Sequence, residues 1–372
     1  MAQPCPDLYP LRFKEILRNY PFGARRIARE FAKTGLPADQ RLSETWEVCD
    51  RPGESSQLVN GPLRGRTLRQ LIDAYPQALL GRDMVRRFGT VFPLLVKLLD
   101  VSGPLGEQVH PDDALTRAWQ LGDYFGKTEA WYMLKVQPRA RVFCGSRPGL
   151  TRERLHEALM RGESRSCMVE YRPRKGDAFV FYAGTMHYSP GGLLFYELMQ
   201  NSDVYVNLRP FPEGLGQEER ESRARQAVEA VRIEEGWDCR TQPVVMESGR
   251  NRRTMVLACE HFALERLDLS APYWLDLDGR RFLVLTLIAG RAEVVHGRGV
   301  EELGPGNTCL LPACLGRVGL KPSGSAAFLK ALVPDLARDI VEPLKRLGVS
   351  AEAIRQLGGV TRLNRLRQMT GG

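Results

Sequence analysis

Short segments with strand patterns, separated by glycine and proline turns, recur along most of this 372-residue chain. Each is an apolar run or an alternation of apolar and polar residues, which is typical of β-strands. The clearest examples lie at residues 43–48, 92–101, 130–136, 168–172, 178–183, 193–199, 204–208, 255–268, 281–288, 291–296, 308–311 and 326–332. Many short strands joined by tight turns predict a mainly β fold of sandwiches or barrels.

Helical patterns flank and interrupt these strands. Residues 11–35 are basic with helical character, residues 213–237 are highly charged with helical spacing, and the tail at 337–372 is helical again. A charged helix at 213–237 is typical of a connection or a lid between domains. Helix N-caps are predicted at Thr67, Asp112 or Asp113, Thr151 and Ser350.

The composition is that of an ordinary globular protein, with 43% hydrophobic and 26% charged residues, and the length allows two or three domains. No apolar run is long enough for a transmembrane helix, and the N-terminus lacks the apolar core of a secretory signal. We therefore expect a cytoplasmic protein. The eight cysteines form no CxxC pair, which predicts reduced thiols and argues against a cysteine zinc site.

The net charge of +9 comes largely from dispersed arginines. Short basic clusters are not part of a basic helix with interleaved aromatics, so the pattern does not favour nucleic-acid binding. It fits an anionic small substrate or a plain solvated surface. We expect no nucleic-acid partner and no membrane partner.

The stretch from residue 104 to residue 131 offers metal ligands at a strand spacing. Gln108 and His110 are two residues apart, and side chains at that spacing point to the same face of a strand. A helix-like insert follows, and the carboxylate of Glu129 could complete most of a coordination sphere. Lys97 lies in the apolar run at 92–101, where its ammonium needs a partner or a wet cavity, unless it reaches solvent from a strand end.

Two glycine-bounded segments repeat a spacing. Residues 176–187 have the pattern Gly-x5-Tyr-x-Gly-x2-His, and residues 306–312 have Gly-x5-Pro. Both resemble Gly-x5-Pro-x-Gly-x2-His, the second motif of the cupins. Cupins are small double-stranded β-helix barrels. The first copy has Tyr182 in the proline place. The second keeps the glycine and proline but has Arg317 nearby and no histidine. The resemblance implies a bicupin with a metal site in the first barrel only.

Further motifs resemble one cupin family, the type I phosphomannose isomerases, over roughly residues 15 to 335. They are the run at 92–100, Gln108-Val109-His110-Pro111-Asp112-Asp113, Gly126-Lys127-Thr128-Glu129-Ala130-Trp131-Tyr132 and Ala183-Gly184-Thr185-Met186-His187, with supporting matches at 43–47 and 60–63. The resemblance implies one zinc ion bound by Gln108, His110, Glu129 and His187. It also implies a phosphosugar substrate.

The chemistry of these residue types agrees with that implication. Two imidazoles, a carboxylate and an amide oxygen suit a divalent metal, which can act as a Lewis acid in aldose–ketose isomerisation while a base moves the proton. Lys127, which matches an active-site lysine of the family, and Arg209 would handle charge, and Glu197 is the candidate for proton transfer. The residues expected to bind substrate are Lys97, Asn207 and Trp131. His156, His261 and His296 lie outside any ligand spacing and are interpreted as structural or surface residues.

The chain departs from the family pattern at two places. The arginine that the family uses in catalysis falls, by ungapped count, at Asn207, and Arg209 lies two residues further on. If the strand is regular, Arg209 faces the same side as Asn207, about 6–7 Å along the strand. The Trp-Gly-Gly near the family's N-terminus is replaced here by Tyr20-Pro21-Phe22-Gly23.

The predicted organisation has four parts: a metal-binding cupin with an N-terminal helical segment at 1–212, a charged helical linker at 213–240, a metal-free cupin at 241–336 and a helical extension at 337–372. The leading hypothesis is a zinc-dependent isomerase that interconverts mannose 6-phosphate and fructose 6-phosphate. The alternatives are the same zinc scaffold acting on another sugar or sugar phosphate, and a non-catalytic sugar-binding regulator. The sequence leaves the oligomeric state open.

Overall fold

The computed structural model describes residues 7–33, 35–37, 39–209 and 214–371, with the backbone alone described at Arg209 and Ser248. With 37% strand and 23% helix, the protein is mainly β, as the strand patterns predict. In chain order the strands are β1 (Leu11–Arg12), β2 (Ile16–Arg18), β3 (Glu44–Val48), β4 (Asp50–Arg51), β5 (Glu54–Ser55), β6 (Leu94–Val101), β7 (Glu107–Val109), β8 (Glu129–Val136), β9 (Val142–Ser146), β10 (Met168–Tyr171), β11 (Ala178–Phe181), β12 (His187–Tyr188), β13 (Leu193–Gln200), β14 (Val206–Arg209), β15 (Val244–Ser248), β16 (Asn251–Ala258), β17 (Ala263–Leu269), β18 (Tyr273–Leu277), β19 (Leu283–His296), β20 (Gly299–Leu303), β21 (Thr308–Leu311) and β22 (Gly316–Leu332).

The helices are short and lie between or after the strands. They are α1 (Arg26–Phe31), α2 (Leu68–Ala74), α3 (Pro76–Leu80), α4 (Arg82–Phe88), α5 (Asp113–Ala118), α6 (Arg152–Arg161), α7 (Gln217–Ala230), α8 (Glu342–Arg346), α9 (Ala351–Gln356) and α10 (Leu366–Met369). The N-cap predictions are confirmed, because side-chain oxygens of Thr67, Asp112, Thr151 and Ser350 accept backbone N–H groups in the first turns of α2, α5, α6 and α9.

Two antiparallel sheets form what we call the first β region. One has six strands in the order β11-β8-β13-β6-β3-β2, and the other has five in the order β10-β9-β12-β7-β14. Helices α6 and α7 pack together on the five-stranded sheet, where Leu155 and Ala227 share an apolar cluster with Val109 and Leu208 of that sheet and with Met186, which directly precedes β12.

The nine-stranded sheet forms the second β region. Its main path is β1-β21-β19-β22-β17-β16-β15, with β18 added to β22 and β20 added to β19. An apolar cluster lies within this region, and its fully buried members include Leu267, Leu285, Leu287, Val294 and Phe328. The C-terminal helices α8 to α10 cover a separate cluster beside β15, β16 and β17.

The prediction of a helical segment at 11–35 is wrong for its first part. Residues 11–18 carry β1 and β2 instead, and the helix α1 is confined to Arg26–Phe31. β1 pairs with β21 of the second β region, and β2 pairs with β3 of the first. Leu11 and Phe13 are buried, whereas Lys14 between the strands is exposed. Long-range strand pairing thus outweighs the local helical character.

The six cysteines at positions 49, 144, 167, 239, 259 and 309 are buried free thiols. Cys314 is disulfide-bonded, so the expectation of reduced thiols is wrong at that position. None of the helices in the described part of the chain is both long enough and apolar enough to span a membrane.

Candidate metal centre

The candidate centre lies between the two sheets of the first β region. In the five-stranded sheet, neighbouring β7 and β12 pair Gln108 with His187, and His110 directly follows β7. Glu129 is the first residue of β8 in the six-stranded sheet. Strand pairing therefore brings Gln108 and His187 together although they are 79 positions apart in the sequence.

Three of the four predicted ligands converge tightly. Nε2 of His110 lies 3.3 Å from Oε2 of Glu129, and Nε2 of His187 lies 3.2 Å from Oε1 of the same carboxylate. The ligand atoms of the three residues all lie within 4.8 Å of one another. Among the residues that the structure describes, this is the one group of His, Cys, Asp or Glu side chains with such a spacing.

The centre contains buried polar atoms without hydrogen-bond partners. Glu129 and His187 are fully buried and His110 is 1% exposed. Nε2 of His110 and both carboxylate oxygens of Glu129 have no hydrogen-bond partner. Buried polar atoms are normally hydrogen-bonded, so unpaired atoms that converge on one point are a feature of sites that hold an ion or a water molecule. A divalent cation fits this donor set of nitrogen and oxygen atoms.

Backbone carbonyls fix the orientation of both imidazoles. Nδ1 of His110 donates to the carbonyl of Val204 at 2.9 Å, and Nδ1 of His187 donates to the carbonyl of Thr185 at 3.0 Å. This leaves the Nε2 lone pair of each ring directed at the centre, as in many metal sites. The amide of Gln108 donates to Nε2 of His187 at 3.0 Å, so rotation of that amide would present its oxygen to an ion.

The charges at the centre favour the metal-binding protonation states. Burial and the nearby Lys127 ammonium lower the pKa of His110 to about 3, so its imidazole is neutral at neutral pH. Burial alone would raise the pKa of Glu129, but Lys127 and the two imidazoles hold it well below its usual value. Nζ of Lys127 lies 3.2 Å from Oε2 of Glu129. The carboxylate is therefore ionised and ready to ligate.

A buried lysine with three carboxylates lies further along the same six-stranded sheet. Nζ of Lys97 is 3.5 Å from Glu197, 3.6 Å from Glu44 and 3.7 Å from Asp203. It also lies 4.6 Å from the centre of the Trp46 ring. Lys97 is only 3% exposed, so the alternative in which it reaches solvent from a strand end is wrong. Burial alone would lower its pKa, but the three carboxylates raise it above its usual value.

Glu197 joins this lysine cluster to the candidate metal centre. Its Oε1 accepts a hydrogen bond from Nε1 of Trp131 at 3.0 Å, and Trp131 packs edge-on against His187 with ring centres 5.7 Å apart. Burial and the negative charge of Glu129 raise the pKa of Glu197 to about 7. A carboxyl with a pKa near neutrality can both accept and donate a proton under ordinary conditions.

The register of β14 against β7 is irregular between Asn207, the position of the family's arginine by ungapped count, and Arg209. Asn207 pairs with Gln108, whereas Arg209 pairs with Glu107, and the register shifts between the two. One residue of β14 is therefore extra relative to β7, and the regular alternation assumed for Asn207 and Arg209 is interrupted there. Asn207 is exposed beside the centre. The side chain of Arg209 lies outside the described part of the structure.

The sequence patterns indicate no site role for Glu44, Trp46 or Asp203. Glu44 and Trp46 are two apart on β3, so strand alternation indicates that they share a face. What the sequence lacked was the register of β3 against β6, which pairs Trp46 with Lys97. Nε1 of Trp46 donates to Glu44 at 2.8 Å and completes the cluster.

Known proteins resemble this chain over most of its length. The family model described as phosphomannose isomerase type I, catalytic domain, matches residues 11–129. The mannose-6-phosphate isomerase ManA of Bacillus subtilis is 29% identical over 316 residues, which is 84% of this chain and 96% of the relative. The mannose-6-phosphate isomerase of Streptococcus mutans is 25% identical over 82% of this chain and 92% of the relative.

Solved structures show the same fold. The mannose 6-phosphate isomerase from Bacillus subtilis superposes with a TM-score of 0.74 at 22% identity, covering 87% of this chain and 99% of that one. A variant of phosphomannose isomerase from Salmonella typhimurium gives a TM-score of 0.70 at 19% identity, covering 86% and 98%. Fold, family model and near full-length relatives agree with the motifs at the centre. The chain is therefore similar to mannose-6-phosphate isomerases over most of its length, and its residues 11–129 match the catalytic-domain model of the type I phosphomannose isomerases.

Proposed function

We propose that this protein is a zinc-dependent isomerase that interconverts mannose 6-phosphate and fructose 6-phosphate. The observation that carries the proposal is the buried group of His110, Glu129 and His187, whose ligand atoms lie within 4.8 Å of one another and include orphaned acceptors. Gln108 would supply the fourth ligand. One bound zinc ion would supply Lewis-acid polarisation of the sugar oxygens.

Residues of the chain would carry out proton transfer, charge stabilisation and substrate binding. Glu197, with a pKa near 7, would move the proton between adjacent carbons. Lys127 and Arg209 would balance the negative charge that develops on oxygen. Lys97, Asn207 and Trp131 would bind the substrate, with the ammonium of Lys97 held beside three carboxylates and Trp131 forming a wall of the pocket.

The architecture supports assigning one cupin barrel to each β region. We propose that residues 1–212 form the metal-binding cupin and residues 241–336 the metal-free one. Residues 213–240 would connect them, and residues 337–372 would extend the second. The separate apolar cluster within the second β region supports this division. The cytoplasmic location expected from the sequence stays a prediction.

A direct assay tests the reaction. Purified protein should interconvert the two sugar phosphates, lose activity after treatment with a chelator and regain it when Zn²⁺ is added back. Metal-loaded protein without turnover of either sugar phosphate would contradict the proposed reaction while leaving the metal centre intact.

The second candidate keeps the scaffold but changes the sugar. It is favoured by Asn207, which is exposed beside Gln108 at the place of the family's arginine. A panel of aldose and ketose phosphates and free sugars would separate the two candidates. Asn207→Arg should raise activity on mannose 6-phosphate if loss of that cation is what limits the rate.

A further inference from the structure

Two features of the chain are not used by the proposed reaction: the tyrosine in the proline place of the first cupin motif, and the helical tail. The structure connects them. Tyr182 is buried at 4% exposure, and its hydroxyl donates to the carbonyl of Gly358 in the tail at 3.1 Å. A proline at this position could not make that contact.

A short path leads from Tyr182 to the imidazole of His187. The carbonyl of Tyr182 accepts the backbone N–H of Thr185 at 2.9 Å and its hydroxyl at 2.6 Å. The carbonyl of Thr185 accepts Nδ1–H of His187 at 3.0 Å. The acceptor that orients His187 is thus part of a turn whose first residue is held by the tail.

The same turn is attached to the second imidazole ligand. The backbone N–H of Gly184 donates to the carbonyl of His110 at 2.8 Å. Gly184 has φ +91°, and a Cβ at this position would lie 2.5 Å from the side chain of Arg232. Only glycine fits here without strain. The turn at residues 182–187 therefore touches both histidines, and little space is left for it to move.

The tail is firmly docked where it meets Tyr182. Nδ2 of Asn364 donates to the carbonyls of Arg355 and Gly359 at 2.6 and 2.8 Å and closes the loop that presents Gly358. Val360 exchanges two backbone hydrogen bonds with Asp238, at 2.8 and 3.0 Å. Ile354, Leu357 and Leu366 are fully buried in the apolar cluster of the tail.

We propose that Tyr182 is a positioning residue that couples the C-terminal segment at 350–371 to the orientation of His187. The tail then contributes to the affinity of the centre for its metal although it supplies no ligand. Groups that orient metal-binding histidines typically change metal affinity about 10- to 100-fold when removed. Because Tyr182 acts through Thr185, we expect an effect near the lower end of that range. The inference rests on the metal site of the proposed function.

The test compares two buried tyrosine hydroxyls. Tyr182→Phe removes only the bond to Gly358. Tyr132→Phe is the matched control. The hydroxyl of Tyr132 accepts a hydrogen bond from Arg266 at 2.9 Å and links the first β region to the second without touching the turn at residues 182–187.

Zn²⁺ affinity is measured by competition with a chromophoric chelator, and the visible absorption spectrum of the Co²⁺-loaded protein reports ligand geometry. Tyr182→Phe should weaken Zn²⁺ binding about 10-fold and alter the Co²⁺ spectrum, whereas Tyr132→Phe should do neither.

A double-mutant cycle tests whether the tail acts through Tyr182. Asn364→Ala opens the loop that presents Gly358 and should weaken Zn²⁺ binding in the same direction. Tyr182→Phe already lacks the hydrogen bond to Gly358, so adding Asn364→Ala should weaken Zn²⁺ binding little further. The losses of Zn²⁺ affinity in the two single variants should therefore not be additive in the double variant.

The outcomes separate this inference from the proposed function. Equal Zn²⁺ affinities and equal Co²⁺ spectra for wild type, Tyr182→Phe and Tyr132→Phe would overturn the positioning role while the metal centre stands. A weakened Tyr182→Phe together with full additivity in the cycle would overturn the role of the tail. Wild-type protein that binds neither Zn²⁺ nor Co²⁺ would overturn both proposals. Metal binding without isomerase activity would overturn the proposed reaction alone.

Discussion

The two β regions have similar antiparallel strands but different interiors. In the first, His110, Glu129 and His187 face one another with orphaned acceptor atoms. In the second, the interior cluster is apolar, with Leu287 and Phe328 among its fully buried members. Buried polar atoms without a hydrogen bond cost stability. In the first region such atoms come from side chains that converge on one point, as a metal site requires, whereas those of Glu265 and His296 in the second region do not belong to such a group.

The buried charges differ in the same way. In the second β region, Glu265 is flanked by Arg253 at 2.6 Å and by Lys330, so two cations close on one carboxylate. In the first, Lys97 has three carboxylates around it, and Glu197 among them titrates near neutrality. A carboxyl whose pKa lies near neutrality can exchange a proton. Burial alone would raise the pKa of the Glu265 carboxyl, but Lys330 and Arg253 lower it and keep the carboxyl ionised.

The largest expected effect comes from removing a histidine in each region. His187→Ala should lower both Zn²⁺ affinity and isomerase activity by more than about 100-fold, because loss of a ligand exceeds loss of a partner that only orients one. His296→Ala, at the end of β19 in the second region, should leave both unchanged. Chelator-competition titration measures the Zn²⁺ affinity of both variants, and the isomerase assay measures their activity. Equal losses in the two variants would break the comparison.

Two lysines that pair with buried carboxylates provide the next test. Lys97→Met removes the cation that three carboxylates share, which should lower the free energy of unfolding by about 3–5 kcal/mol. Lys330→Met should lower it by less, because Arg253 still pairs with Glu265. Only Lys97→Met should also reduce turnover per folded molecule, since only Lys97 contacts Glu197. Denaturant titration measures the free energy of unfolding, and the isomerase assay measures turnover per folded molecule. Loss of turnover in Lys330→Met at full folding would show that the second β region contributes to the chemistry.

The interior of the second β region is expected to matter for stability alone. Leu287→Ala creates a cavity in that apolar cluster and should cost roughly 2–5 kcal/mol of unfolding free energy. Its Zn²⁺ affinity and kcat/KM, measured well below the unfolding midpoint, should match those of the wild type. A change in metal affinity would mean that packing is transmitted between the two regions.

The smallest effect is a pH dependence that belongs to the first region. Burial and Glu129 raise the pKa of Glu197 to about 7, and only the ionised carboxylate can accept a proton. The kcat/KM should therefore rise with pH to a plateau and fall about tenfold per unit well below the pKa of Glu197. The midpoint should lie below pH 7 in the zinc-loaded enzyme, because zinc on Glu129 would offset part of the charge that raises this pKa. In Glu197→Gln the residual activity should no longer fall at acidic pH, so the acidic limb of the pH profile should disappear. An unchanged limb in the variant would assign the titration to another group.

Local sequence patterns were sufficient for much of the fold. The caps at Thr67, Asp112, Thr151 and Ser350 were predicted because a capping hydrogen bond joins residues only two or three apart. Residues 11–18 were predicted as helix although they form β1 and β2, because the partners that stabilise those strands lie far away in the sequence. The alternation of apolar Leu11 and Phe13 with basic Arg12 and Lys14 is the sequence signal that indicates a strand there.

The sequence by itself determined the ligand types and their motifs, since Gln108 with His110 and Lys127 with Glu129 are each only two residues apart. Only the tertiary structure decided what surrounds them. The register of β3, β6 and β13 assembles Glu44, Lys97 and Glu197 into one cluster. The register shift in β14 separates Arg209 from the alternation that Asn207 begins. Register depends on pairing energies between distant segments, and no short sequence window contains both partners.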